Sequence, residues 1–335
     1  MSLAQYVTLG ASGLRVSPLC LGAMTFGPDL GWGSTVEESQ AILDRYIGRG
    51  GNFIDTANVY TFGHSEKIIG DPNGGGAGRK SIVHACEESL RRLQTDYIDL
   101  YWMHAWDFHT PIEETMRAFD DLVRDGKIRY VGISDTPAWK VAQAQMIARF
   151  RGWAPVIALQ IEYSLVERTV EGELIPMARE LGLGVTPWSP LKSGVLSGKY
   201  TRANHGKQKA ARGIMAEMHL NDRTYDIIDM LIAIAKEIGT TPARVALAWV
   251  QGRPGVTSTI IGARSVDHLD ANIGALDVKL SAEHVAMLDA LTKPQLGFPM
   301  AFLDRAPMFM HGGISVNGVE APVSPLAPKP DSPRY

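Results

Sequence analysis

The stretch TPIEETMRAFDDLVRDGKIRYVGI, Thr110 to Ile133, decides the fold. A hydroxyl and a proline open it, and Ile112, Met116, Phe119 and Val123 then recur at helical spacing. Gly126 closes the helix, and the apolar run Arg129 to Ile133 begins within three residues. One helix feeding one short buried strand is half of a βα repeat.

The same alternation runs outward in both directions. Seven candidate strands are read at Pro18 to Met24, Asn52 to Ala57, Tyr97 to Met103, Arg129 to Ile133, Val156 to Ile161, Gly184 to Trp188 and Ser258 to Ile261. Helical faces such as Ile227, Leu231 and Ile238 lie between them. Thr110-Pro111 and Thr241-Pro242 predict capped helix starts with proline at the first position, and Gly50, Gly126 and Gly182 predict left-handed stops. No charge run or low-complexity linker interrupts residues 18 to 292. The expectation is therefore an α/β protein with a single (β/α)8 TIM barrel domain over residues 1–335. An N-terminal hairpin at Tyr6 to Val16 plugs one end, and the tail 293–335, with eight of the nineteen prolines, is irregular.

One place breaks the repeat. Ser65 to Gly70 runs through DPNGGGAG into the helical segment Arg79 to Leu93 with no strand between, so the third strand is missing from this sequence. A parallel barrel lacking a strand leaves ladder groups unpaired on its neighbours, which is costly when buried.

Composition narrows the chemistry. Thirty-three basic against 36 acidic side chains give a net charge of −3, which supplies no broad positive field for nucleic acid. The 45% apolar content argues against disorder, and no apolar run is long enough to span a bilayer. The start MSLAQYVTLG shows no secretory pattern, and two cysteines, Cys20 and Cys86, cannot frame a disulfide scaffold or a cysteine-rich zinc site. A cytoplasmic protein without nucleic-acid or membrane partners and without a metal is expected; its oligomeric state is not legible.

In a βα barrel the strand ends converge on one face, and here they are polar. Asp55 ends the second run with Tyr60 five residues on, His104 ends the third, and Ser134, Asp135, Gln160 and Trp188 end those that follow. Each alone has a plain reading: a hydrogen-bonded core histidine, a helix cap, a rim aromatic. Together they are acid–base parts facing a small molecule. Lys192 and Lys207 to Lys209 read as a solvated basic face, and Trp102 as core.

The stretches GNFIDTANVY (Gly51 to Tyr60), TDYIDLYWMH (Thr95 to His104), GKIRYVGISD (Gly126 to Asp135), WSPLKSGVLSGKY (Trp188 to Tyr200) and IIGARSVDHLDANIGAL (Ile260 to Leu276) resemble, in order, motifs of the aldo-keto reductase superfamily. The subset most similar includes bacterial reductases related to potassium-channel β-subunits. The resemblance covers roughly residues 5 to 292 and implies NADP(H)-dependent reduction of a small-molecule aldehyde or ketone. Tyr60 would be the proton donor, His104 would orient the carbonyl, and Asp55 would belong to the same catalytic set. It further implies that Ser134, Asp135 and Gln160 hold the carboxamide, that Trp188 lies beside the nicotinamide ring, and that Thr25 and Asp55 also bind the cofactor. Ser189, Pro190, Leu191, Ser193, Gly194 and Lys199 would cross the pyrophosphate, and Gly262, Arg264, Ser265, His268 and Asn272 would hold the adenosine end, with Arg264 suited to a 2′-phosphate. Asp135 stands where asparagine is usual, His268 where glutamine is usual and Ala271 where an acidic residue is usual.

The family pairs its aspartate with a lysine at the end of the third strand, which tunes the tyrosine. An unperturbed phenol titrates near 10, about three units above neutrality. That lysine has no match here; Lys67 and Lys80 fall on helical positions either side of the gap. Either a segment of the natural polypeptide is absent from this sequence, or strand and lysine have been lost; the cost of an open edge favours the first. The alternative function is a catalytically impaired NADP-binding module that senses redox state or supports a partner.

Overall fold

The computed structural model describes residues 2–27, 33–57, 76–204 and 216–327. Tyr60, Lys67, Gly74, Gly75 and the cluster at Lys207 to Lys209 lie outside them.

A hairpin comes first: β1 (Val7–Thr8) pairs antiparallel with β2 (Arg15–Val16). Seven parallel strands follow, β3 (Leu19–Gly22), β4 (Ile54–Asp55), β5 (Ile98–Met103), β6 (Ile128–Ser134), β7 (Val156–Glu162), β8 (Gly184–Trp188) and β9 (Thr259–Gly262). Helices α1 (Val36–Gly48), α2 (Arg79–Leu93), α3 (Ile112–Arg124), α4 (Ala138–Arg151), α5 (Leu174–Leu181), α6 (Asp222–Glu237), α7 (Pro242–Gln251), α8 (Val266–Ile273) and α9 (Ala282–Leu291) alternate with them. The ladder order is β4-β3-β9 and β5-β6-β7-β8, and a parallel bridge from Val185 to Val256 joins the two. The fold is that of the (β/α)8 barrel. Among the described residues β4 pairs only with β3 and β5 only with β6, and the interval where the third strand was expected lies largely outside them.

The strand bounds fall within three residues of those read from the sequence, because each apolar run ends where a polar rim begins. On α3, Ile112, Met116, Phe119 and Leu122 are buried, and burial of each such side chain contributes about 1.5–3 kcal/mol. Val123 packs at the edge of that face and Leu122 takes its inner place. The predicted stop at Gly182 is left-handed, φ 73°. Thr241 caps α7 as expected, accepting from Arg244 N, with Pro242 in the first turn. Thr110 does not cap α3: its hydroxyl donates to Asp107 Oδ2 at 2.5 Å, and the helix starts from Pro111 without a side-chain cap. The N-cap position falls on Pro111, one residue later, so the Thr110 hydroxyl accepts from no first-turn N–H and donates instead to the Asp107 carboxylate.

The hairpin closes the N-terminal end of the barrel. Ala11 N donates to Gly182 O at 2.7 Å, and Leu9 and Val16 pack with Leu100, Ile157 and Ala158, with Trp102 against them. Gly10 has φ +59°, and a Cβ there would lie 2.3 Å from Ile157 O, so only glycine fits. The tail is more ordered than its prolines predict. Met300–Leu303 and Ala306–Met310 are helical, and Ser315–Val316 pairs with Val319–Glu320. Among the described residues no helix is long and apolar enough to cross a membrane.

Candidate active site

Parallel register delivers the polar strand ends to one rim. Gly22 of β3 stands beside Asp55 of β4 on one side and Gly262 of β9 on the other. Ser134 of β6 is opposite Gln160 of β7, and Glu162 is opposite Trp188 of β8. His104 follows the last residue of β5 and is exposed on the same face.

Asp55 is buried, and Gln160 Nε2 donates to its Oδ1 at 3.0 Å. Burial raises the pKa of Asp55, opposed by that hydrogen bond and by the positive charge of His104. The structure therefore brings together Asp55, Gln160 and His104, which lie far apart in sequence. Next to them Trp188 Nε1 donates to Asp135 Oδ1 at 3.0 Å, and Asp135 N donates to Gln160 O at 3.2 Å. Asp135 takes a left-handed backbone, φ 42°, a conformation that aspartate tolerates and that turns its carboxylate toward the indole.

Ser134 Oγ is fully buried; it lies close enough to the Asp135 carboxylate to oppose the rise in pKa that burial causes there, but no group meets it at full hydrogen-bond geometry among the described residues. An unmet buried hydroxyl costs about 1–3 kcal/mol and marks a place where a ligand completes the bonding. A carboxamide fits this corner: Ser134 can donate to its oxygen, while Asp135, with one oxygen committed to Trp188, can accept from its NH₂ through the other. With a carboxamide there, the serine would supply the donor that aspartate in place of asparagine lacks.

The loop after β8 has an unusual backbone. Ser189, Lys192 and Ser193 have positive φ of 51°, 46° and 55°, and Gly194 has 85°. Pro190 is buried and Leu191 partly so. A Cβ on Gly194 would lie 3.4 Å from Lys199 Nζ, so that ammonium reaches back across the loop. Strained conformers concentrated in one short segment beside a cation make a plausible cradle for a diphosphate. Lys192 is not on a solvated face. It is buried, and its Nζ meets Glu162 Oε1 at 2.5 Å, pinning the loop to the end of β7. Sequence reading missed this pair because its members are thirty residues apart and in different elements.

At the other end of the rim, Thr25 Oγ1 donates to Ala263 O at 2.6 Å, which ties the turn after β3 to the turn after β9. Ser265 caps α8 by accepting from His268 N, and Asn272 Nδ2 donates to Gly262 O at 3.0 Å. Arg264 lies between Gly262 and that helix start, partly buried. These residues hold this corner of the rim together, while the side chain of His268 is exposed. Lys80 is exposed in the first turn of α2.

The aldo/keto reductase family model matches residues 18–72 and 71–293. The uncharacterized oxidoreductase YrpG of Bacillus subtilis (strain 168) is 39% identical over 320 residues, covering 85% of this chain and 95% of that protein. Norsolorinic acid reductase of Aspergillus flavus is 34% identical, covering 89% and 83%, and aryl-alcohol dehydrogenase GME11368 of Pestalotiopsis microspora is 36% identical, covering 88% and 83%. For the Bacillus protein, 85% of 335 residues is about 285, so about 35 of the 320 aligned positions have no residue of this chain opposite them. The family match itself breaks at residues 71–72, inside the interval where the sequence offers no third strand. The narrower likeness to channel β-subunits rests on the motifs alone. With a barrel of this topology and a family match over most of its length, the chain belongs to the aldo/keto reductase family.

Proposed function

We propose that this oxidoreductase reduces aldehydes or ketones to alcohols with NADP(H), with Tyr60 giving the proton. The observation that carries the reading is the buried Ser134 hydroxyl, without a partner at full hydrogen-bond geometry, beside the Asp135–Trp188 bond, a corner complementary to a carboxamide. When bound, the reduced nicotinamide supplies hydride to the carbonyl carbon.

The chain's own residues do the rest. Ser134 and Asp135 hold the carboxamide, and the Trp188 indole, fixed through its N–H, sets the plane of the ring. His104 donates to the carbonyl oxygen and draws electron density from the carbon. Tyr60 passes its phenolic proton to that oxygen as it becomes an alkoxide. Gln160 and His104 oppose the rise in the Asp55 pKa that burial causes, and Asp55 anchors the wall of the site through Gln160. Arg264 suits the 2′-phosphate, and Lys199 the pyrophosphate. The two-cysteine, near-neutral composition supports a cytoplasmic setting.

The interrupted family match supports a segment missing between Gly70 and Arg79, and with it the lysine that would lower the Tyr60 pKa. The test follows NADPH consumption with benzaldehyde and butanal by two chains: this one, and one with the corresponding segment of the Bacillus relative inserted after Gly70. The expected result is NADPH binding by both, with turnover about 10² to 10⁴ faster in the completed chain, the usual worth of a tuned acid. No turnover by the completed chain at any pH overturns the proposal.

A further inference from the structure

Two loops of the rim carry aromatic side chains that the carbonyl chemistry does not use. Trp106 and Phe108 follow His104 by two and four residues, and Trp139 lies in the first turn of α4, four residues after Asp135. Their rings form one cluster: Trp106 and Phe108 have centroids 4.3 Å apart, and Trp106 and Trp139 meet edge to face at 5.5 Å. Phe108 is nonetheless 77% exposed and Trp139 59%. Large rings held together yet left open to water mark a binding surface.

The cluster is braced. Asp107, between the two loop aromatics, accepts from Ala77 N at 3.0 Å, His109 N at 2.9 Å and Thr110 Oγ1 at 2.5 Å. Ring positions on such a loop are fixed before any ligand arrives, which lowers the entropic cost of stacking on them. A cation sits on the same shelf. Lys140 Nζ is 4.5 Å from the Trp139 ring centroid and 5.5 Å from that of Trp106, and it donates to Gln143 Oε1 at 2.8 Å. Among the described residues no carboxylate pairs with it.

From this arrangement we infer that Trp106, Phe108, Trp139 and Lys140 form the outer part of the substrate mouth and bind planar aromatic carbonyl compounds that carry an acidic group. The aromatic body stacks on the exposed ring faces, the anionic group meets Lys140, and the carbonyl end points inward past His104. The inference rests on the carbonyl-reductase reading for which end of the ligand enters. The shelf itself can be tested without turnover.

Quenching of tryptophan fluorescence would be titrated with naphthoate, naphthylmethanol and cyclohexanecarboxylate, using the whole chain with NADP present. Naphthoate is expected to bind about threefold tighter than naphthylmethanol, from the charge, and about fivefold tighter than cyclohexanecarboxylate, from stacking. Trp139→Ala should remove the second difference and Lys140→Met the first. Phe150→Ala, on the far end of α4, should change neither. Equal affinity for the three ligands, or naphthoate binding unaltered by Trp139→Ala and Lys140→Met, overturns the inference. Absence of NADPH consumption by the completed chain, with this binding pattern intact, would count against the reductase reading alone, while turnover by the completed chain without the pattern would count against the shelf alone.

Discussion

Gln160 and Asp55, 105 residues apart, meet with Nε2 3.0 Å from Oδ1 in the buried wall of the barrel mouth. The amide offsets part of the desolvation that raises the Asp55 pKa. Gln160→Leu should raise that pKa further and cost about 1.5–3 kcal/mol near neutrality, the worth of a hydrogen bond to a charged group. The sign follows from linkage. With its pKa raised by folding, Asp55 contributes stability below its ordinary carboxylate range and loses it as pH rises through the shifted value, so the deficit of the variant should shrink on acidification. Denaturant unfolding between pH 4 and pH 8 checks this; a pH-independent deficit would contradict it.

Ser134→Ala removes a hydroxyl that no group meets at full hydrogen-bond geometry among the described residues. Stability should therefore change by less than about 0.5 kcal/mol, or improve, because an unmet polar group has been taken out of the core. NADPH affinity should fall about tenfold, the loss of one buried hydrogen bond. A thermal melt and a fluorescence titration of the same sample separate the two effects.

Lys192→Met leaves Glu162 without its cation at the end of β7. Because the carboxylate is one quarter exposed, the cost should stay near 1–3 kcal/mol rather than the larger penalty of a fully buried orphan charge. NADPH binding should weaken in parallel as the loop comes loose. Lys192→Arg should recover most of both, and a failure of that rescue in cofactor affinity would confine the pair to packing.

Two glycines offer a matched comparison. Gly10 and Gly152 have φ of +59° and +64°, but a Cβ on Gly10 meets Ile157 O at 2.3 Å while one on Gly152 meets nothing within 4 Å. Gly152→Ala should cost about 1–2 kcal/mol, the backbone penalty alone. Gly10→Ala should cost at least about 3 kcal/mol, since backbone must move as well. Comparable unfolding midpoints for the two would show that the hairpin yields.

Three hydrogen bonds, led by the one from Thr110, hold the Asp107 carboxyl down at about 2. With its folded pKa depressed, Asp107 contributes stability above its ordinary range and loses it as pH falls through about 2. The loop carrying Trp106 and Phe108 should loosen in that acid window. Asp107→Asn should loosen it already at neutral pH, seen as a red shift of tryptophan emission.

Periodicity carried most of the barrel: the strand Gly184 to Trp188 and the helix Arg79 to Leu93 appear in the structure with the same ends. Local pattern failed where a distant group competed. Thr110 has the signature of a cap, and only the fold shows Asp107 taking its hydroxyl. Lys192 looked like one more surface lysine, because nothing in SPLKSG says that Glu162 lies beneath it. The motifs named the residues that gather at the rim, but not that Ser134 would be left without a partner at full hydrogen-bond geometry or that Gln160 would turn to Asp55. Tyr60, on which the proton transfer depends, lies outside the described residues, so its role rests on the motif.

The hairpin pressed against Ile157 and Gly182 has a last consequence for traffic. With that floor covered by the hairpin's main chain, a ligand held at the strand ends would arrive and leave on the rim side, so coenzyme and substrate would share one approach. A molecule lodged on the aromatic sill would then block departure as well as arrival, and would slow release of a reacted guest already inside.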